Sequence, residues 1–289
     1  MSIFMKINKL LVSGGVHGNE YTGIYIINRL KKYPLKAKTF EIIPLLSNPE
    51  AFKLSKRYKD QDLNRSFSTE DLNNPSLNTY EDQRAREINQ TYGFKSDSPV
   101  DFLVDFHTTT TNLGKTIITD GRSSLVNKLC RYLVERIDGL RVIKHQSITD
   151  VAINNIAPMS LTIEIGAVHT SVYDTKAIEI TTEILNEIIK FVEMANCDDL
   201  PEIKSCKAYE PVKAIGFPRD NDGNINAVIH DNINGNDFKL INEQDPVFEL
   251  MDGSVQLLDE PGEWYPIFVN ESAYYEKDIA FYLTREIDF

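Results

Sequence analysis

Residues 13–23, Ser-Gly-Gly-Val-His-Gly-Asn-Glu-Tyr-Thr-Gly, constrain the chain most. They follow Leu10-Leu11-Val12, an apolar run that reads as the end of a buried strand. Gly14 and Gly15 permit a tight turn in which the backbone takes positive φ. Ile24, Ile27 and Leu30 then recur at spacings of three, the pattern of a helix with one buried face. His17 and Glu20 are thus three residues apart where a strand gives way to a helix. That offset sets an imidazole and a carboxylate on one face, close enough to share an ion. A catalytic zinc commonly takes two His and one Glu, with one position open for water. The pair needs a third ligand from elsewhere.

Phe40 to Leu46 is a second strand candidate, closed by Ser47-Asn48-Pro49. The resulting β-α-β order predicts a parallel or mixed sheet with helices on its faces. Residues 57–67 are polar and aperiodic, hence loop. Within them Arg57, Asn64 and Arg65 are either plain surface or donors suited to carboxylates and carbonyls. Residues 68–79 continue the loop, and Glu81 to Tyr92 reads as an exposed helix of mixed charge.

Val100 to Phe106 is the clearest strand, ending in His107. In open α/β sheets ligands collect at the carboxyl ends of strands. His17 and His107 both stand just past such ends, so one sheet edge can unite them with Glu20 as a metal site. Asp105 shares a strand face with His107 and is placed to orient that imidazole. Further on, Leu161 to Gly166 sets Glu164 inside an otherwise apolar β run, a costly place for a lone acid. It reads either as an exposed strand residue or as a catalytic base beside a metal. Thr116–Thr119 is a further strand, and Ser123–Ile137 and Thr175–Met194 are helices with apolar stripes. Beyond residue 207 the helical period gives way to short apolar runs between turn signals such as Asn234-Gly235 and Asp252-Gly253, a β-rich pattern.

The net charge of −12 argues against a nucleic-acid partner, because phosphate binding needs a basic surface. No apolar run approaches the roughly 18 residues of a membrane helix. Met1 to Lys6 lacks the apolar segment and cleavage site of a signal peptide. Cys130, Cys197 and Cys206 are odd in number and widely spaced, which favours reduced thiols over disulfides. The expected compartment is the cytoplasm.

Five stretches carry a resemblance: Gly14 to Glu20, Asp62-Leu63-Asn64-Arg65, Asp105-Phe106-His107, Ile163-Glu164-Ile165-Gly166 and residues 270–277, Asn-Glu-Ser-Ala-Tyr-Tyr-Glu-Lys. Together they closely resemble the aspartoacylases, of the succinylglutamate desuccinylase/aspartoacylase family of zinc amidohydrolases. The resemblance covers nearly the whole chain. It implies an α/β fold, with a mixed central sheet flanked by helices as in zinc carboxypeptidases, and a smaller C-terminal β-rich domain. The composition shift near residues 197–207 sets the expected domain limits, residues 1–200 for the catalytic part and 206–289 for the β-rich part. The resemblance further implies one zinc ion per chain held by His17, Glu20 and His107, with Glu164 as general base. Arg57 then matches an arginine that polarises the scissile carbonyl, Asn64 and Arg65 match residues that bind a substrate carboxylate, and Tyr274 matches a tyrosine from the second domain.

The implied function is a zinc-dependent hydrolase acting on the linear amide of small N-acyl amino acids. Its nominal reaction converts N-acetyl-L-aspartate and water to acetate and L-aspartate. The rival readings are a deacylase for neutral or aromatic side chains, a zinc carboxypeptidase and a non-catalytic zinc-binding protein. The candidate assembly is a homo-oligomer, a dimer. Two departures bear on specificity. Asn154, ten residues before Glu164, stands where relatives that cleave N-acetylaspartate carry an arginine for a second carboxylate. Asp278 stands where they carry a lysine, after Lys277, and is expected to add negative charge near the site.

Overall fold

The computed structural model describes residues 6–145 and 150–289. Strand β1, Lys9–Gly14, is buried along Leu10, Leu11 and Val12, as a strand covered on both faces must be. The chain turns at Gly15, whose φ of +70° suits glycine, and enters helix α1, Tyr21–Lys32. Ile24, Ile27 and Leu30 form its buried stripe, each worth about 1.5–3 kcal/mol of transfer free energy. The crossover ends in β2, Glu41–Leu46, parallel to β1 in the register Lys9↔Glu41.

Two short helices follow, α2 at Pro49–Lys53 and α3 at Thr69–Leu72. The second lies where only loop is expected, started by Ser68, whose hydroxyl accepts from Asp71 N–H. Helix α4, Tyr80–Tyr92, begins with a reciprocal cap between Thr79 and Asp82. It is not exposed throughout, because Glu81 and Asp82 are buried. Glu81 accepts hydrogen bonds from the backbone N–H groups of Lys59 (2.7 Å), Asp60 (3.0 Å) and Gln61 (3.2 Å), and from Asn48 Nδ2 (3.2 Å). A helix-end acid thereby organises the loop that bears Arg57.

Strand β3, Phe102–Thr108, runs parallel to β1 on the side opposite β2. Strand β4, Gly114–Thr119, leads through α5, Ser124–Arg136, to β5, Leu140–Lys144, a strand without a counterpart in the sequence reading. Strand β6, Met159–Gly166, is parallel to β3 and antiparallel to β4, so the sheet is mixed. Helix α6, Thr175–Asn196, packs with α1 and α5 over one face of this sheet. On the other face Leu11 and Leu103 pack with Ile88 of α4 and Leu63 of the arginine loop.

The remainder is β-rich: β7 Lys207–Ile215, β8 Ala227–Ile229, β9 Ile241–Asn242, β10 Pro246–Leu250, β11 Val255–Leu257, β12 Glu263–Ile267 and β13 Phe281–Asp288. Four of these extend the large sheet, whose order is β2-β1-β3-β6-β4-β5-β7-β13-β12-β9. The other three form a small sheet, β11-β10-β8. Since β1 has β2 on one side and β3 on the other, the direction of winding reverses between β1 and β3. A crevice opens at that point, at the carboxyl ends of the strands. No helix among the described residues is long and apolar enough to cross a membrane.

Candidate active site

The crevice between β1 and β3 holds His17 and Glu20. Gly18, beside His17, approaches α2 so closely that an added Cβ would lie 2.2 Å from the backbone of Ala51 and Phe52. Its N–H donates to the Arg57 carbonyl (3.0 Å), which draws the arginine loop against the turn. Glu20 occupies the N-cap of α1, yet its side chain makes no cap hydrogen bond. It turns instead to the two imidazoles: Oε1 lies 2.6 Å from His17 Nδ1 and Oε2 lies 2.9 Å from His107 Nδ1. Thr108 N–H also donates to Oε2 (3.1 Å). His107 is within β3 rather than past its end, and the rigid strand aims its ring at the crevice.

One ligand atom from each of His17, Glu20 and His107 can be chosen so that all lie within 4.8 Å of one another, and all three residues are buried. Each imidazole is held from behind by a carboxylate. His17 Nε2 is 3.0 Å from Asp62 Oδ1, and His107 Nε2 is 2.7 Å from Asp105 Oδ2. Asp105 in turn accepts from Ser13 Oγ (2.7 Å). Converging donors with carboxylate-anchored rings are what a bound divalent metal requires, so the residues fit such an ion. Asp105 stands where its strand face predicts. Asp62 was legible only as part of its motif, for nothing in a loop aspartate announces a partner 45 positions away.

Electrostatics follow from this packing. Burial works against charge on Glu20, but the His17 and His107 rings outweigh it and hold the carboxyl well below the usual range. Burial likewise opposes charge at Asp62, where His17, Arg57 and Arg65 prevail and lower it. Glu164 behaves oppositely. Burial pushes its carboxyl well above the ordinary range; His107 pulls back, while Glu20 and Glu271 push further up. The exposed-strand alternative for Glu164 is thereby excluded, since the residue is buried and lines the pocket.

His17, Glu20, His107, Glu164, Arg57, Asn64, Arg65 and Tyr274 all border one cavity. Arg57 Nη1 and Nη2 each lie 3.5 Å from an acid, Glu20 Oε1 and Asp62 Oδ2. Asn64 Oδ1 accepts from Ile153 N–H (3.0 Å), which leaves its NH2 group to donate. Tyr274 enters from the 3-10 turn Ser272–Lys277 in the C-terminal region, between Phe268 and Tyr282. Burial raises its phenol well above the usual value, so the hydroxyl keeps its proton.

Glu271 had no role in the sequence reading. It is buried; its carboxylate accepts from Thr109 Oγ1, Thr110 N–H (2.9 Å) and Thr110 Oγ1 (3.1 Å), and from Ala273 N–H (3.1 Å). It therefore fastens the tyrosine-bearing turn to the residues after His107. Asp278 corrects an expectation. It is exposed, takes a left-handed φ of +56° and binds Arg219 at 2.7 Å, so its charge is neutralised outside the pocket. Lys277 is the one that turns inward, 3.9 Å from Asp62 Oδ2.

Comparison with known proteins agrees with this geometry. The profile of the succinylglutamate desuccinylase/aspartoacylase catalytic domain matches residues 6–192, and that of the AstE/AspA barrel-sandwich hybrid domain matches residues 204–286. A probable aspartoacylase of Trichodesmium erythraeum is 37% identical, over 97% of this chain and 98% of its own length. The human N-acyl-aromatic-L-amino acid amidohydrolase (carboxylate-forming) is 31% identical over 98% of this chain and 92% of its own. The crystal structure of murine aminoacylase 3 superposes with a TM-score of 0.93 at 29% identity, covering 99% of this chain and 97% of that one.

Proposed function

Since this chain belongs to the succinylglutamate desuccinylase/aspartoacylase family, we propose that it hydrolyses N-acyl amino acids to a carboxylic acid and the free amino acid, with one zinc ion held by His17, Glu20 and His107. The observation that carries the reading is a single pocket in which Glu164 and Arg57 flank that ligand set. Cleavage of N-acetyl-L-aspartate to acetate and L-aspartate is the nominal reaction, with the side-chain preference set by the rest of the pocket.

When bound, zinc supplies Lewis-acid chemistry, acidifying water and polarising a carbonyl. Glu164 takes the proton of the attacking water and returns it to the leaving amine. Its register opposite His107 supports that role. The Arg57 guanidinium faces the oxygen on which negative charge develops; a preorganised donor of this kind is worth about 3 kcal/mol. Arg65 and the free NH2 of Asn64 hold the α-carboxylate, so the amide is presented in attack geometry. Tyr274 adds a protonated hydroxyl and, with Phe268 and Ala273, lines the pocket from the C-terminal region. In this reading residues 1–200 are the catalytic unit and residues 206–289 cover its pocket. The three free cysteines support a reducing compartment, the cytoplasm.

Zinc-supplied protein is expected to release free amino acid from N-acetyl amino acids, and a chelator should abolish the release. Trimming of peptide C-termini without any cleavage of N-acetyl amino acids would overturn the reading in favour of a carboxypeptidase.

A further inference from the structure

The pocket continues past Glu164 into a floor that the proposed reaction leaves unused. On β6, Thr162 precedes Glu164 by two residues, so it shares that face about 7 Å deeper along the strand. Strand β4 sets Ile118 opposite Thr162. Ala152 and Asn154, from the segment around the 3-10 turn Ile153–Ile156, line the same cavity. None of these four side chains is charged. The Asn154 side chain is the informative one. The residue is 4% exposed, its Oδ1 accepts from Thr162 Oγ1 at 3.4 Å, and its Nδ2 is buried with no hydrogen-bond partner. A buried amide donor left unpaired costs free energy that an accepting ligand atom would restore.

We infer that this floor selects N-acyl amino acids whose side chain ends in a carboxamide, as in N-acyl asparagine; the inference rests on the N-acyl amino acid reading above. A carboxamide oxygen accepts from Asn154 Nδ2. Its NH2 group donates to Thr162 Oγ1, whose lone pairs are open because its proton goes to Asn154. A carboxylate offers acceptors only and would enter a floor without a cation. The nearby cations serve elsewhere: Arg57 beside Glu20 and Asp62, Lys277 beside Asp62, and Arg65 for the α-carboxylate. An isobutyl group has nearly the shape of the asparagine side chain yet leaves Nδ2 unpaired.

The test compares kcat/KM of the zinc-supplied full chain for N-acetyl-asparagine, N-acetyl-leucine and N-acetyl-aspartate, with calorimetric binding of free asparagine and leucine as a readout apart from turnover. N-acetyl-asparagine should exceed both others by at least tenfold, asparagine should bind more tightly than leucine, and Asn154→Leu should erase the advantage over leucine. Cleavage of these substrates with leucine or aspartate equal or preferred, in the unmodified chain, overturns this inference alone. Failure to cleave any of them, or any other N-acetyl amino acid, overturns the underlying reading as well. The comparison in the unmodified chain decides even if Asn154→Leu does not fold.

Discussion

His107 and Glu164 occupy directly opposed positions on neighbouring parallel strands, His107 on β3 and Glu164 on β6. Adjacent strands hold their backbones about 5 Å apart, and opposed residues project to the same face. The His107 ring and a buried acid are therefore held side by side by sheet hydrogen bonds rather than by a loop. The same register brings Asp105 level with Thr162, one step deeper.

Glu164→Gln should keep the fold and the bound metal while turnover falls at least about 100-fold, because the change is isosteric and removes only the proton acceptor. Steady-state kinetics combined with elemental analysis reads both. A smaller loss than about tenfold would move the base to another group.

Asp62→Asn should weaken metal affinity by about 10–100-fold, since it loosens the ring of His17 without deleting a ligand. Competition with a chelator measures this. Unchanged affinity would mean that the Asp62 contact serves the loop and not the ligand.

Glu81→Gln should destabilise the protein by about 3 kcal/mol, because an amide cannot satisfy three backbone donors and its own NH2 opposes them. Activity should fall too, as Arg57 and Asp62 lose their fixed loop. Urea denaturation provides the check, and an unaltered midpoint would refute it.

Asp237 yields a pH prediction. Its Oδ1 accepts from Val269 N–H (3.2 Å), its Oδ2 is buried without a partner, and burial raises its carboxyl to about 6. The folded state thus holds this proton to a higher pH than the unfolded chain does, where an aspartate titrates near 4. Stability from this group is present below that range and is lost as pH rises toward about 6, by of order 2–3 kcal/mol. Asp237→Asn should remove that loss, so the difference in stability between variant and unmodified protein should grow from pH 4 to 7. A constant difference across those pH values in denaturation experiments would disprove it.

Local patterns in the chain determined a good deal. The turn at Gly15 and the helix stripe of Ile24, Ile27 and Leu30 depend on backbone sterics and a 3.6-residue period, both of which neighbouring residues dictate. The strand that carries His107 is legible for the same reason, though it runs on to Thr108, and so is the acid of β6, conspicuous because it interrupts an apolar run. The spacing of His17 and Glu20 likewise announced a shared face, and their side chains meet at 2.6 Å.

Tertiary structure decided what depends on residues far apart in the chain. Glu81 looked like an exposed helix charge, yet three backbone donors of a loop some twenty residues earlier bury it. Glu271 meets Thr109 and Thr110 across 162 and 161 positions of sequence, a meeting that only the packing of the C-terminal strands onto the central sheet brings about. Lys277 and Asp278 are adjacent in sequence, but a left-handed residue at 278 sends one charge toward Asp62 and the other to Arg219. Set beside the aspartoacylases, Asn154 reads as a missing positive charge; folding makes it a buried donor without a partner, lining the pocket. In each case the energy of the group is set by burial and by a distant partner. A linear pattern encodes neither, because both arise only when separate segments pack.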